Sequence, residues 1–206
     1  ILQPVKVPKM ANSLQFAEMY NDAVGYEFYS DDVRNAYANH TDPDLYPDVD
    51  WLNEIYKSHT WNQRANLSVS GGTSIVKYFV SGGFYNEDGL FERDNMKQYN
   101  TSAYYRRFNF RANVDIKLHK YTTLNVNLAT AFESKNEPGT SSSDIWSAAY
   151  TTSPNAFPLQ YSNGQLAGDA NTQNPYVLLT QTGYKRSFYT TAQSLFGLTQ
   201  DFGEWI

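Results

Sequence analysis

Apolar and polar residues alternate without interruption from Arg107 to Leu118. Successive side chains of a β-strand point to opposite faces, so this stretch predicts a strand with one apolar and one polar face. Strands of soluble proteins usually run about 5 to 6 residues, whereas a strand that crosses a bilayer needs roughly 9 to 11. The predicted strand is therefore long enough to cross a membrane.

The same period of two returns along most of the chain after Trp61. It predicts further strands over about 62–70, 75–85, 122–134 and 187–199. The connections alternate in length, with short turns near 71–74, 119–121 and 201–204 and long excursions at 86–103 and 135–186. Outer-membrane barrels have short periplasmic turns and long extracellular loops, so we expect Arg107 at the outer end of its strand and Leu118 at the periplasmic end.

The alternation divides the strand side chains between two environments, because only every second residue of a barrel strand faces lipid. The residues expected to face lipid are Val76, Tyr78, Val80, Phe108, Phe110, Val114, Ile116, Leu124, Val126 and Leu128. The residues expected to face the lumen are Lys77, Asn109, Arg111, Asn113, Asp115, Asn125 and Asn127.

The rest of the chain carries helical signals. Asn12 or Ser13, then Ser30 and then Asp50 can cap three short helices, the last from Trp51 to about residue 57, and a fourth is expected over 143–150. We expect an extracellular helical segment over 1–60, four antiparallel strands with one extracellular loop over 61–134, and a long extracellular loop over 135–186. Residues 187–206 are expected to form a strand, a periplasmic turn and the start of another strand.

These elements predict the fold class. Five or six strands cannot close, since the smallest outer-membrane barrels already need about 8. The chain is therefore expected to be all-β, a fragment of a large antiparallel transmembrane β-barrel with short helices in its extracellular segments. Ile1 is no initiator Met and no leader-like segment opens the sequence, so we expect an interior piece of a longer polypeptide.

Composition narrows the class of protein. The 206 residues are 16% aromatic, with a mean hydropathy of -0.59. No run of 18 or more apolar residues occurs, which argues against a transmembrane helix. The absence of Cys fits an outer-membrane route but is shared by many cytosolic proteins. A net charge of -5 argues against a nucleic-acid-binding protein, which would carry a basic face.

Candidate chemistry is sparse. No arrangement of nucleophile and base is recognisable, so we expect no enzymatic activity and no cofactor. One candidate Ca²⁺ site is the acidic group Asp42, Asp44, Asp48 and Asp50, although Asp beside Pro mostly forms turns and caps. Aromatic residues of the long loop can stack on sugar rings or contact a peptide, or they can pack the loop onto itself. They are Trp146, Tyr150, Phe157 and Tyr161.

Several motifs in order resemble one family. They are DVDWLNEIY at 48–56, NLSVSGG at 66–72, KYFVSGGFYNEDG at 77–89 and RRFNFRANVD at 106–115. The segment FAEMYNDA at 16–23 is similar to the family's helical segment after its first barrel strand. Together these motifs resemble the SusC/RagA family of TonB-dependent outer-membrane transporters of Bacteroidetes. The match covers roughly residues 10–120, and beyond 135 the chain resembles the family in layout alone.

The resemblance implies a 22-stranded parent barrel in the cell outer membrane, with an N-terminal plug inside it. It also implies a SusD-like surface lipoprotein as partner and energy from the TonB–ExbB–ExbD complex. The expected function is nutrient uptake, the import of oligosaccharides (glycan import) or oligopeptides. The plug and the TonB-contacting segment are not recognisable in these residues, so no residue is assigned to them.

Two other classes of protein remain open. A soluble, secreted β-sandwich that binds carbohydrate explains the aromatic residues and the alternation, but not the strand length or the loop asymmetry. The other is a non-transporting outer-membrane barrel that serves as an adhesin or a structural element.

Overall fold

A computed structural model describes residues 7–93, 99–168 and 173–203 and contains one open sheet. Its strands are β1 (Asn62–Gly72), β2 (Val76–Asp88), β3 (Tyr104–His119), β4 (Thr122–Pro138) and β5 (Tyr184–Gln200). They pair antiparallel in chain order, so β1 and β5 are its edges. No second sheet occurs in these ranges. The predicted antiparallel all-β fold is confirmed, and the β-sandwich alternative does not describe this part of the chain.

The strands are longer than the alternation indicates, running 11 to 17 residues. β2 continues to Asp88, β4 continues to Pro138 and β5 begins at Tyr184, so the long connections span 89–103 and 139–183 rather than 86–103 and 135–186. Backbone pairing does not need an apolar face, and it persists where both faces become polar, as at the pair Asn136 and Arg186. β1 likewise includes both glycines of the predicted first turn, which leaves 73–75 as the turn.

Five short helices complete the structure: α1 (Ser13–Val24), α2 (Asp31–Asn39), α3 (Trp51–Ile55), α4 (Ser142–Thr151) and α5 (Pro175–Thr180). The predicted N-caps Asn12, Ser30 and Asp50 are confirmed, each accepting a hydrogen bond from the first turn of its helix. α3 ends at Ile55, earlier than predicted. α5 was not predicted and is capped by Asn174.

None of the helices in the described ranges is both long and apolar enough to cross a membrane.

The helices and the two long connections gather at one end of the sheet, where β1, β3 and β5 begin and β2 and β4 end. We call this assembly, residues 7–60, 89–93, 99–103, 139–168 and 173–183, the cap. The short turns lie at the opposite end. Within the cap, Trp51 Nε1 donates to the Ser153 carbonyl at 3.1 Å and Val49 N–H donates to the Pro154 carbonyl at 3.0 Å. These bonds tie the first helical segment to the long loop.

The hydrophobic core of the described residues lies wholly in the cap, where α3, α4 and α5 meet. Its members are Trp51, Leu52, Ile55, Phe91, Ile145, Ala149, Phe157, Ala167 and Leu179. The strands contribute none of them. The sheet is therefore held by backbone pairing and cross-strand contacts, and both of its faces are open.

Candidate binding surface on the polar face of the sheet

The strand register sorts the side chains of the sheet onto two faces, because directly paired residues of antiparallel strands point to the same side. All ten residues expected to face lipid share one face, which we call the apolar face. All seven residues expected to face the lumen share the other, the polar face. The structure thus separates the two predicted sets.

The apolar face exposes large hydrophobic side chains. Leu67 is 74% exposed, Phe108 is 54% exposed and Phe196 is 67% exposed. The rings of Phe84 and Phe108 stack across neighbouring strands at 4.8 Å between centroids. Contiguous exposed apolar surface of this kind marks a face that contacts lipid or protein.

The half of the polar face nearer the cap carries arginine and tyrosine side chains. The register places Arg64, Tyr85, Arg107 and Glu133 side by side on four successive strands. Arg107 Nε lies 3.7 Å from Glu133 Oε1, the one ion pair of this row. The ring of Tyr105 lies 6.0 Å from that of Tyr85.

Small side chains follow immediately toward the short turns. Ser81 and Gly83 of β2 and Ala129 and Ala131 of β4 all belong to the polar face. Three of them, Ser81, Ala129 and Ala131, line an open space of about 750 Å³, which we call the recess. Among the side chains around it are Arg64, Asn66, Tyr85, Tyr105, Arg107, Asn109, Arg111, Glu133 and Gln193.

Gly83 lies beneath the side chains of two asparagines. A Cβ on this glycine would lie 2.6 Å from Asn109 Oδ1 and 2.9 Å from Asn66 Oδ1. Both asparagines flank Gly83 on the neighbouring strands. The missing side chain therefore lets the two amide groups reach toward each other over the sheet.

The polar face is basic although the chain as a whole is acidic, with a net charge of -5. Its basic residues are Arg64, Lys77, Arg107, Arg111, Lys117, Lys135 and Lys185, and its acidic residues are Glu87, Asp115, Glu133 and Glu137. In the part of the chain that the structure describes, neither Arg64 nor Arg111 has a carboxylate within 4.0 Å. The recess therefore holds two guanidinium groups without a counter-charge.

Cross-strand hydrogen bonds hold the polar face nearer the turns. Asn125 Nδ2 donates to Asp115 Oδ1 at 2.8 Å, and Thr199 Oγ1 donates to Asn125 Oδ1 at 3.2 Å. The side chains of Asp115, Asn125 and Thr199 therefore hydrogen-bond one another across three strands.

The structure brings two of the four aromatic residues predicted to contact substrate, Trp146 and Tyr150, into contact with each other. Phe157 is buried against Trp51, 5.4 Å between ring centroids, so it belongs to the core and the prediction is wrong for it. Trp146 packs between Tyr56 at 4.3 Å and Tyr150 at 5.3 Å. Tyr150 and Tyr161 are partly exposed on the cap. Loop aromatics are drawn into a core because burying them removes apolar area from water.

The candidate Ca²⁺ site is not formed. Each carboxylate accepts a hydrogen bond from a different backbone N–H: Asp42 from Asp44, Asp44 from Ser162, Asp48 from Ser13, and Asp50 from Asn53. No group of three or more metal-ligand side chains occurs among the described residues. These aspartates cap turns and helices or tether the cap, as Asp beside Pro commonly does.

Two tyrosines of the cap are perturbed by burial. Burial raises the pKa of Tyr56 and that of Tyr37, because the phenolate is disfavoured away from water. Asn155 donates to the Tyr37 hydroxyl at 3.4 Å. The Tyr56 hydroxyl is buried without a hydrogen-bond partner in the described structure, so the ring of Tyr56 serves packing alone.

Sequence reasoning missed the recess and one exposed aromatic cluster, formed by Tyr20, Tyr26 and Phe28 beside α1. The sequence indicates the recess only by two small residues, spaced two positions apart, in each of two strands. Only the register shows that the two pairs lie beside the same arginines.

No model of a known protein family matches the chain. A TonB-dependent receptor P3 of Formosa agariphila is 26% identical over 168 residues, covering 73% of this chain and 16% of that protein. Two solved structures are similar. The RagAB peptide importer in the closed-closed state has a TM-score of 0.40 and 21% identity, and the match covers 58% of this chain and 13% of that chain. The RagAB peptide transporter has a TM-score of 0.42 and 19% identity, and the match covers 74% of this chain and 16% of that chain. The resemblance to TonB-dependent proteins is confirmed.

Proposed function

We propose that this chain is a stretch of barrel wall, with its outer cap, from a TonB-dependent transporter of a bacterial outer membrane. One observation carries the proposal: five paired strands of 11 to 17 residues expose an apolar face on one side and a polar face on the other. A strand that crosses a bilayer needs roughly 9 to 11 residues. The receptor that matches 73% of this chain supports the transporter class.

The apolar face is then the lipid-facing surface. Side chains such as Phe108 and Leu67 are exposed on this face. In the membrane they would contact hydrocarbon. The polar face would line the lumen, where Arg111 and Asp115 remain hydrated or meet other polar groups. The expected facing of both sets of residues is part of this proposal.

The two ends of the sheet give the wall its orientation. Short turns occupy one end and the cap the other, which is the asymmetry of outer-membrane barrels. We place the cap outside the cell and the turns at 73–75, 120–121 and 201–203 in the periplasm.

The edges of the sheet require neighbours. β1 and β5 each pair on one side only in the described ranges, and unpaired edges do not persist within a bilayer. The chain spans 16% of the length of its curated relative. We propose that the rest of the parent polypeptide supplies the closing strands, up to the 22 that the family resemblance implies, together with a plug.

The parent's role would be to import oligosaccharides or oligopeptides without covalent chemistry. A SusD-like lipoprotein would act at the outer surface and the TonB–ExbB–ExbD complex would supply energy. Both partners follow from the family resemblance.

Labelling of single cysteines in the full-length parent tests the orientation. The chain has no Cys of its own, so each introduced thiol is unique within it. Leu45→Cys lies on the exposed cap and Ser74→Cys lies in a short turn. A membrane-impermeant maleimide added to intact cells should label Leu45→Cys and spare Ser74→Cys, while lysed cells should label both.

Equal labelling of the two positions in intact cells contradicts the proposal. Uptake separates a transporter from an adhesin: accumulation of a radiolabelled oligosaccharide or oligopeptide should stop when TonB is deleted. Uptake or retention that is indifferent to TonB would favour the non-transporting barrel.

A further inference from the structure

We propose that the recess binds an acidic oligosaccharide, with Arg64 and Arg111 as the groups that contact its carboxylates. This inference rests on the proposed function, since it names the class of substrate that passes the polar face.

Charge is the first argument. Arg107 has a carboxylate beside it, Glu133, at 3.7 Å, whereas Arg64 and Arg111 have none within 4.0 Å in the described residues. All three arginines border the same recess. A guanidinium group presents a planar fork of donors that matches a carboxylate. Two unopposed forks on one recess favour a ligand with more than one negative group.

Shape is the second argument. The floor includes Ser81, Ala129 and Ala131, which have small side chains, so the arginines stand around an open space. That space is about 750 Å³, within the range of about 300 to 1,000 Å³ that is usual for ligand sites. A few linked sugar rings fit such a volume.

The remaining groups distinguish a sugar from other anions. Tyr85 and Tyr105 place two aromatic rings on the recess, tilted to each other with centroids 6.0 Å apart. Asn66, Asn109 and Gln193 supply amide groups that both donate and accept hydrogen bonds. Sugar hydroxyl groups both donate and accept, and sugar rings stack on aromatic faces. Guanidinium, amide and phenol groups together therefore suit a uronic-acid oligomer.

Binding to the purified full-length transporter in detergent tests the inference. The probes are an oligogalacturonate and a neutral galacto-oligosaccharide of equal length, measured by isothermal titration calorimetry. The variants are Arg64→Gln and Arg111→Gln. Lys117→Gln is the matched control, because it removes one positive charge from the same face and Lys117 does not border the recess.

We expect the oligogalacturonate to bind more tightly than the neutral probe. Each arginine variant should raise its Kd about tenfold, the usual order for a lost charge-assisted hydrogen bond. The control should change it less than about twofold. Added salt should weaken acidic-probe binding to the unmodified transporter and have less effect on the arginine variants.

Three outcomes overturn the inference. In the first, the arginine variants bind the oligogalacturonate as the control does. In the second, they lower the thermal unfolding temperature of the ligand-free transporter and leave probe binding unchanged, which would mean that carboxylates of the parent's own chain occupy the arginines. In the third, a glutamate-rich peptide of equal charge binds as tightly as the sugar.

The labelling and uptake experiments test the proposed function, whereas the binding measurements test the recess, so the two can fail separately. Suppose that Ser74→Cys stays unlabelled in intact cells and uptake depends on TonB, but the acidic and neutral probes bind equally. The proposed transporter function would then be supported and the acidic-sugar site would be rejected.

Discussion

Gly139 packs against the backbone of Thr182 so closely that a Cβ on the glycine would overlap the Thr182 carbonyl. The two residues lie at the neck of the long loop, where Gly139 N–H donates to the Gly183 carbonyl at 2.9 Å. The neck joins the end of β4 to the start of β5, so it fixes where the cap stands on the wall.

Gly139→Ala should therefore open the neck. The clash is with backbone and cannot be relieved by turning a side chain, so we expect cleavage of the loop by an added protease to increase several-fold in intact cells. Gly82→Ala is the matched control, since its Cβ would meet nothing closer than the Asn109 carbonyl at 3.9 Å. Equal protease resistance of the two variants would show that the neck does not hold the loop.

Val114→Asp tests which face meets lipid. Val114 lies on the apolar face and its neighbour Asn113 on the polar face. A buried carboxylate should cost roughly 2 kcal/mol or less, depending on depth in the bilayer, and should reduce the folded fraction of the parent, measured by its heat-modifiable migration in gel electrophoresis. Asn113→Asp should have little effect. Equal tolerance of the two changes would contradict the facing.

Tyr56→Phe should leave the cap as stable as before, or slightly more stable. The variant removes a buried hydroxyl that has no partner in the described structure and keeps the ring between Phe91 and Trp146. Tyr56→Ala, by contrast, should cost about 3 kcal/mol because it leaves a cavity. The measurement is denaturation of the cap followed by tryptophan fluorescence. Equal losses in both variants would mean that the hydroxyl has a partner.

Alkaline pH should loosen the cap. The pKa values of Tyr56 and Tyr37 are raised by burial from the ordinary value of 10.0. Their contribution to stability is fully present below about pH 10 and is lost as the pH rises through the raised values of the folded state. A pH series of protease resistance should therefore fall above about pH 10. Tyr56→Phe, which cannot ionise at this position, should fall less steeply.

The faces of the sheet could be predicted from sequence because a period of two leaves little choice. Val114 and Asn113 fall on opposite faces whatever the register, and the caps at Asn12 and Asp50 are local signals that need no tertiary information. The faces and the caps are both determined by interactions between residues that are close together in the sequence.

The ends of the strands could not be predicted in the same way. Asn136 is buried in a polar stretch of β4, where its amide donates to the carbonyls of Asn100 and Ser102. Because this buried residue is polar and bonds a loop that is distant in the sequence, the apolar–polar alternation does not extend to the end of the strand. α5 was missed because it has only six residues, although Asn174 before Pro175 is a usual N-cap and first-turn pair.

The recess depended on information that no single strand contains. Gly83 and Asn109 meet only through the register of β2 with β3, and the small residues of β4 come from a separate hairpin. Phe157, one of the four predicted aromatic contacts, lies in the core for the opposite reason, because it packs against apolar partners in the cap. Composition indicates which side chains can bind a ligand, whereas packing decides which remain free.

Under the proposed function, the restriction of the hydrophobic core to the cap means that the two parts of the structure depend on different solvents. Trp51, Ile145 and Leu179 are held together because water surrounds the cap. The strands instead need hydrocarbon beside their apolar face and backbone bonds that lipid cannot replace. If the strands cross the membrane as proposed, urea should expose the tryptophans of the cap before the β circular dichroism of the strands declines. The cap could then unfold and refold while the strands stay in the bilayer.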